Sequence, residues 1–213
     1  MCIAKLTLAC TVDPVEPLLL IGSGGHARSV IDVVESTGIW RIVGLVGRDH
    51  QIGSKVLGYP VVGTDAELAR LHDHASHAVV AIGHLGSPEQ RIRLVSLMQR
   101  HDFDFPVIAS AHAVISRHAS IGAGSTIGHG AVVNASARIG AHCIINSQAL
   151  IEHDATVGDH CHISTGVRVN GGVHIGSGSF IGSGAILREG LVIPQHTCIS
   201  AGKRVMGWPL REG

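Results

Sequence analysis

The residues of this chain best suited to chemistry are a histidine between two acids, Glu152-His153-Asp154, preceded by the aliphatic Ile151. An imidazole held by a carboxylate keeps one tautomer and gains basicity, as a general base requires. His162 follows nine residues later, and Gly171 nine after that, in Asn170-Gly171-Gly172, where a free backbone N–H could meet an oxyanion. Two exposed, solvated histidines beside a glycine corner would look the same, so residue types alone leave both readings open. A second candidate is Gly22-Ser23-Gly24-Gly25-His26-Ala27, directly after Leu18-Leu19-Leu20-Ile21. A glycine-rich strand-to-helix turn offers backbone N–H groups and a helix N-terminus to a phosphate. Ala27 stands where the third glycine of a dinucleotide fingerprint would be, so a phosphate-type ligand is expected there and not NAD. An acid for a ribose at the end of the second strand would have to be Asp49, in Gly47-Arg48-Asp49.

Two kinds of element must carry these residues. From Ile115 to Val205 every sixth residue is aliphatic, without slip, and the residue two places earlier is mostly small, from Ala113 to Cys161. A period of six fits neither a helix nor a half-buried strand alone. It fits a prism in which each hexapeptide makes one short strand and one corner and three complete a turn, that is, a hexapeptide-repeat parallel β-helix. The residue after each aliphatic is often Gly or Asn, from Gly122 to Gly182, which suggests corners with positive φ. In this register His153, two places after Ile151, points outward. The stub's flat faces and exposed strand ends predict oligomerisation, with three prisms around a threefold axis as the first choice. Ahead of the prism, strands at 18–21, 42–46 and 78–83 and helices at 28–36 and 88–100 make an α/β domain with a parallel sheet over residues 17–105. Residues 1–16 read as a leader and 106–213 as the β-helix domain.

Composition narrows the partners. Lys plus Arg and Asp plus Glu balance at 16 each, so nucleic acid is not expected, and no apolar run is long enough for a membrane span. The five cysteines have no metal spacing; Cys143 and Cys161, one coil apart, read as buried, inert fillers in a reducing, cytoplasmic setting. Most of the 16 histidines need no function. His142 and His160 should stack on the surface, and His72, His74 and His77 should sit in a polar helical stretch. A zinc carbonic anhydrase on the same prism would need a histidine pair five apart; no histidines after residue 105 have that spacing, so no metal is expected.

The glycine-histidine turn, the strand Ala81-Ile82-Gly83, and Ile151-Glu152-His153-Asp154 followed by the hexapeptide series resemble the sugar acetyltransferases of the bacillosamine and sialic-acid O-acetyltransferase type, over about residues 17–209. The resemblance implies a left-handed prism, a first domain that holds a nucleotide-linked sugar, and acetyl-CoA lying between two prisms of a homotrimer. It implies that His153 is the base, that Asp154 orients it, and that His162 and Gly171 line the acetyl site. Lys203 and Arg204 are the nearest clustered cations for the acetyl-CoA phosphates. Gly22, Gly24, Gly25 and His26 are expected around the acceptor, with Asp49 and His84 nearby. The family often ends its second strand with an acidic pair, where this chain has Gly47-Arg48 before Asp49, and often has Asn where this chain has His84. N-acetylation of a nucleotide-linked amino sugar leads. O-acetylation of a sugar of the sialic-acid type and a non-catalytic sugar-nucleotide-binding scaffold are the alternatives.

Overall fold

The computed structural model describes residues 15–209. The expected leader therefore lies almost wholly outside the described residues; Glu16 already belongs to the first strand. The α/β part comprises β1 (Glu16–Ile21), α1 (Gly25–Glu35), β2 (Trp40–Val46), β3 (Lys55–Val56), β4 (Tyr59–Gly63), α2 (Leu68–His72), β5 (His77–Val80) and α3 (Glu89–Gln99). Its sheet order is β3-β4-β2-β1-β5, parallel except for the β3–β4 pair. The interior strand β1 buries Leu18, Leu19, Leu20 and Ile21 at 1% exposure or less, because helices cover both faces of a parallel sheet. The β3–β4 hairpin is not foreseen from the pattern, since Pro60 interrupts what would read as a strand. His77 starts β5 instead of continuing a helix, and only His72 lies in α2.

From Ile108 to Val205 the chain winds into a left-handed parallel β-helix of two-residue strands, in three sheets of six, five and six strands. Every strand pairs in register with the strand 18 residues on, as Leu150 does with Arg168 and His162 with Phe180. The first face carries Thr126, Ile144, His162 and Phe180, and packs on the α/β part. The second carries Val132, Leu150, Arg168 and Ile186, and the third Arg138, Thr156 and His174. The aliphatic series fills the interior, with every member from Ile127 to Val205 at 4% exposure or less. Its first two members depart from this: Ile115 is 36% exposed and Ile121 partly buried, because no coil stacks beneath them.

The corner glycines serve a purpose other than the expected one. Positive φ falls two residues later, at positions such as Gly124, His142, Asp154 and Gly172. Gly122, Gly128, Gly140 and Gly158 are needed because the next coil's corner lies directly on them; a Cβ on Gly128 or Gly158 would come within 2.6 Å of the amide nitrogen of Ser147 or Ser177. Small corners are thus a stacking requirement. Cys143 and Cys161 are fully buried, their thiols bonded to the carbonyls of Gly158 and Gly176, and burial pushes the Cys143 thiol well up.

Candidate active site

His153 sits at the corner between the second and third faces, the prism edge opposite the face that meets the α/β part. Its side chain is 66% exposed, and Nδ1 lies 2.8 Å from Asp154 Oδ2. Asp154 occupies a left-handed backbone position, φ +60°, which Asp tolerates better than most residues and which turns its carboxylate back onto the ring. Glu152 Oε2 accepts from Asn134 Nδ2 at 2.8 Å and from the His153 amide at 3.2 Å, so the two flanking acids are not equivalent. The hydrogen bond to Asp154 raises the His153 pKa above its ordinary value. An Nδ1–H donated to Asp154 leaves Nε2 as the basic nitrogen of an exposed ring.

Gly171 lies one coil above. A Cβ there would come within 2.8 Å of the His153 ring, so the imidazole occupies the space that glycine leaves open. Gly172, not Gly171, donates to the His153 carbonyl (3.0 Å), and the Gly171 N–H has no partner among the described residues.

His162 is elsewhere. It stands on the first face, 5% exposed, with Nδ1 2.8 Å from the His84 carbonyl. Its ring is 6.2 Å from that of His26 and 5.4 Å from that of His84. Burial, more than any charge, lowers the pKa of His26 to about 3 and of His162 to about 4 and depresses that of His84, so all three are neutral at physiological pH. With Nδ1–H given to the His84 carbonyl, His162 Nε2 is a lone-pair acceptor; it and His26 Nε2 are buried without a partner. His26, Ser29, Thr126, Asn146 and Ser147 line a cavity of about 100 Å³ between α1 and the first face. Asn146 and Ser29 carried no signal in the sequence beyond their register.

A larger cleft of about 890 Å³ opens at the carboxyl ends of β1 and β2, where ligands enter parallel sheets. Gly22, Gly24 and Asp49 line it, with Arg48, Thr64 and Arg93. Ser23 Oγ donates to Gln51 Oε1 at 3.0 Å and ties the glycine turn to the loop after β2. Gly22 needs its freedom, with φ +123° and no room for a Cβ against Ile82 and Ala81. A Cβ on Gly24 or Gly25 would meet nothing of the protein, so a side chain at Gly24 would intrude on the cleft alone. His26 and His84, expected beside the acceptor with the glycines, do not line this cleft; α1 turns His26 toward the prism, and His84 packs against Phe180. Lys203 and Arg204 are exposed at the last coil and have no ion-pair partner among the described residues.

His142 and His160 do stack, rings 5.2 Å apart and 12° from parallel, but His142 is 7% exposed, against Phe105. They fill the seam between the two parts and do not sit on an outer surface. No group of His, Cys, Asp or Glu among the described residues could hold a metal ion, and no described helix is long and apolar enough to cross a membrane.

This architecture, an α/β domain followed by hexapeptide coils with an acid-held histidine at a prism edge, defines a hexapeptide-repeat acyltransferase. Residues 17–96 match the PglD N-terminal domain model, and residues 136–171 match the bacterial transferase hexapeptide (six repeats) model. No curated protein sequence matches significantly. Among solved structures, PerB of Caulobacter crescentus in complex with CoA and GDP-perosamine is 32% identical over 91% of both chains, with a TM-score of 0.82. A histidine-to-asparagine variant of perosamine N-acetyltransferase from Caulobacter crescentus, also with CoA and GDP-perosamine, is 31% identical with the same coverage and TM-score. The acetyltransferase domain of PglB from Neisseria gonorrhoeae FA1090, in complex with acetyl coenzyme A, is 30% identical over 88% of this chain and 89% of that one, with a TM-score of 0.80. The chain belongs to the hexapeptide-repeat sugar acetyltransferase family, and it is an acetyltransferase that uses acetyl-CoA.

Proposed function

We propose that this enzyme N-acetylates a nucleotide-linked amino sugar by direct transfer from acetyl-CoA, in a site built between two copies of the chain. Residues 17–105 hold the acceptor and residues 106–213 the acetyl donor. The observation that carries this reading is the division of the candidate residues. His153, Asp154 and Gly171 occupy one prism edge, whereas His162 stands on the opposite face against His26 and His84. No single chain can bring them to one substrate. A ring of three prisms can, with the edge of one subunit facing the seam of the next, in a repeated contact that closes on itself.

The chemistry follows from the roles. The sugar amine attacks the thioester carbonyl while His153 Nε2 takes its proton, and Asp154 stabilises the resulting imidazolium. The Gly171 N–H donates to the oxyanion. Collapse of the tetrahedral species breaks the C–S bond, and the proton on His153 can pass to the departing CoA thiolate. The buried, neutral His162 and His26 offer acceptors to the donor and the sugar. Gly22, Gly24 and Gly25 allow close backbone approach to the acceptor phosphates, with Asp49 at the ribose. Lys203 and Arg204 meet the CoA phosphates. The complexes of the similar structures with CoA, acetyl-CoA and GDP-perosamine support this assignment of substrates, and the reduced, buried cysteines support a cytoplasmic setting.

Subunit complementation tests it. The wild-type enzyme is assayed by thiol release on GDP-, UDP- and dTDP-linked amino sugars and on a free sialic acid; His153→Ala and His162→Ala chains are then each assayed alone, unfolded together and reassembled one to one. A site shared between neighbours regains both histidines in about a quarter of cases. A mixture no more active than its parents excludes the shared site, and turnover confined to a free sugar excludes the acceptor.

A further inference from the structure

Arg91 on α3 is 1% exposed, yet no carboxylate pairs with it among the described residues. Its Nη1 donates to the carbonyls of Val80 (3.1 Å) and Ile82, at the end of β5, and Nη2 to the carbonyl of His142 on the prism (3.0 Å). Nε is buried without a partner. An enclosed cation without a counter-ion is costly, and an apolar side chain of similar length would fill the same space at less expense. What the cation adds lies around it. Two residues beyond Ile82, the His84 carbonyl receives His162 Nδ1. The guanidinium charge reaches His26, His84, His142, His160 and His162, and the acids that oppose it there are peripheral: Asp159 is exposed and bonded to the Ala141 amide, and Glu89 is exposed on α3 itself.

We propose that Arg91 is a positioning residue for acetyl transfer: its guanidinium fixes the carbonyl frame that holds His162 with Nε2 free. This rests on the reading of His162 as part of the transfer site. Burial is the main cause of the lowered pKa values of these histidines, and the charge of Arg91 contributes at every one of them. With its Nδ1–H engaged, a neutral His162 accepts at Nε2; a protonated one would lose that lone pair and with it any hold on a donor group.

Two variants of the full chain separate the frame from the charge. Arg91→Met removes both, and Arg91→Lys keeps the charge on an ammonium too compact to bridge three carbonyls. Side-chain NMR titration of the histidines reads the charge without any turnover. In Arg91→Met the cluster should titrate higher by on the order of one pH unit, and in Arg91→Lys it should stay low. Both variants should lose about tenfold in kcat, with the KM for acetyl-CoA within about twofold of wild type. A merely structural Arg91 would lower the unfolding temperature and leave the titrations in place. Unmoved titrations in folded Arg91→Met overturn the charge role. Should that variant fail to fold, a wild-type kcat in Arg91→Lys overturns the frame role. Shifted titrations with an unchanged kcat instead sink the placement of His162 in the transfer site.

Discussion

The edge at His153 and the seam at His162 treat the same side chain in opposite ways. At the edge an exposed imidazole is hydrogen-bonded to Asp154, and its affinity for a proton rises. At the seam, burial and the charge of Arg91 lower the affinity of His26 and His162 for a proton. A base must accept a proton during turnover and release it afterwards, so it needs access to solvent and a carboxylate to steady its charge. A hydrogen-bond acceptor must stay neutral, and enclosure beside Arg91 provides that. Sequence proximity is no guide to either role: His153 and His160 are seven residues apart, yet Asp154 raises the proton affinity of the first and burial lowers that of the second.

Removing the imidazole at the edge should have the largest effect. His153→Ala should lower turnover by about 10²–10⁴-fold while both substrates still bind, and calorimetric titration with acetyl-CoA would check the second half. A near-normal rate, or an acetyl-protein adduct in mass spectra, would contradict direct transfer with His153 as base. Gly171→Ala comes next. The added Cβ cannot share space with the imidazole, so the ring must swing off its Asp154 bond, and misplacement of this size costs about 10²-fold. Its circular dichroism should match wild type, since the exposed ring moves more easily than the stacked backbone. Asp154→Asn should cost about tenfold, less than loss of the base itself. It should also move the pH profile. Asp154 raises the pKa of His153, and activity needs the neutral ring, so the acid limb of kcat against pH should move to lower pH in the variant. A limb that stays put would mean that another group sets it.

The smallest effect concerns stability. His26 and His162 have folded pKa values of about 3 and about 4, below the 6.5 of an unfolded histidine. Below pH 6.5 the unfolded chain gains protons that the native seam refuses, so stability present above 6.5 drains away as the pH falls toward 4. By pH 5 the loss is on the order of 2 kcal/mol for each histidine. Denaturant unfolding at pH 7.5 and pH 5 would register it, and the difference should shrink in His26→Ala. An equal difference in that variant would place the acid-sensitive group elsewhere.

Much of this was legible in the residues themselves. A period of six in the aliphatics suffices for a prism, because each strand is two residues long and pairs with its own repeat, so local spacing and global fold are one pattern. The outward direction of His153, the acid beside it and the glycine-rich turn after β1 follow from the same counting. The register of the corners was legible but its reason was not. Gly128 and Gly158 are small because another coil rests on them, and only stacked backbones reveal that contact. Nor could spacing say which prism face turns toward the α/β domain. That packing, set by Arg91 reaching the His142 carbonyl and Asp32 reaching His129, keeps His26 and His84 out of the cleft beside β1 and against His162. A repeat specifies its own interior, since every coil meets an equivalent neighbour. The join between two different domains depends on side chains far apart in sequence, and three dimensions alone decide it.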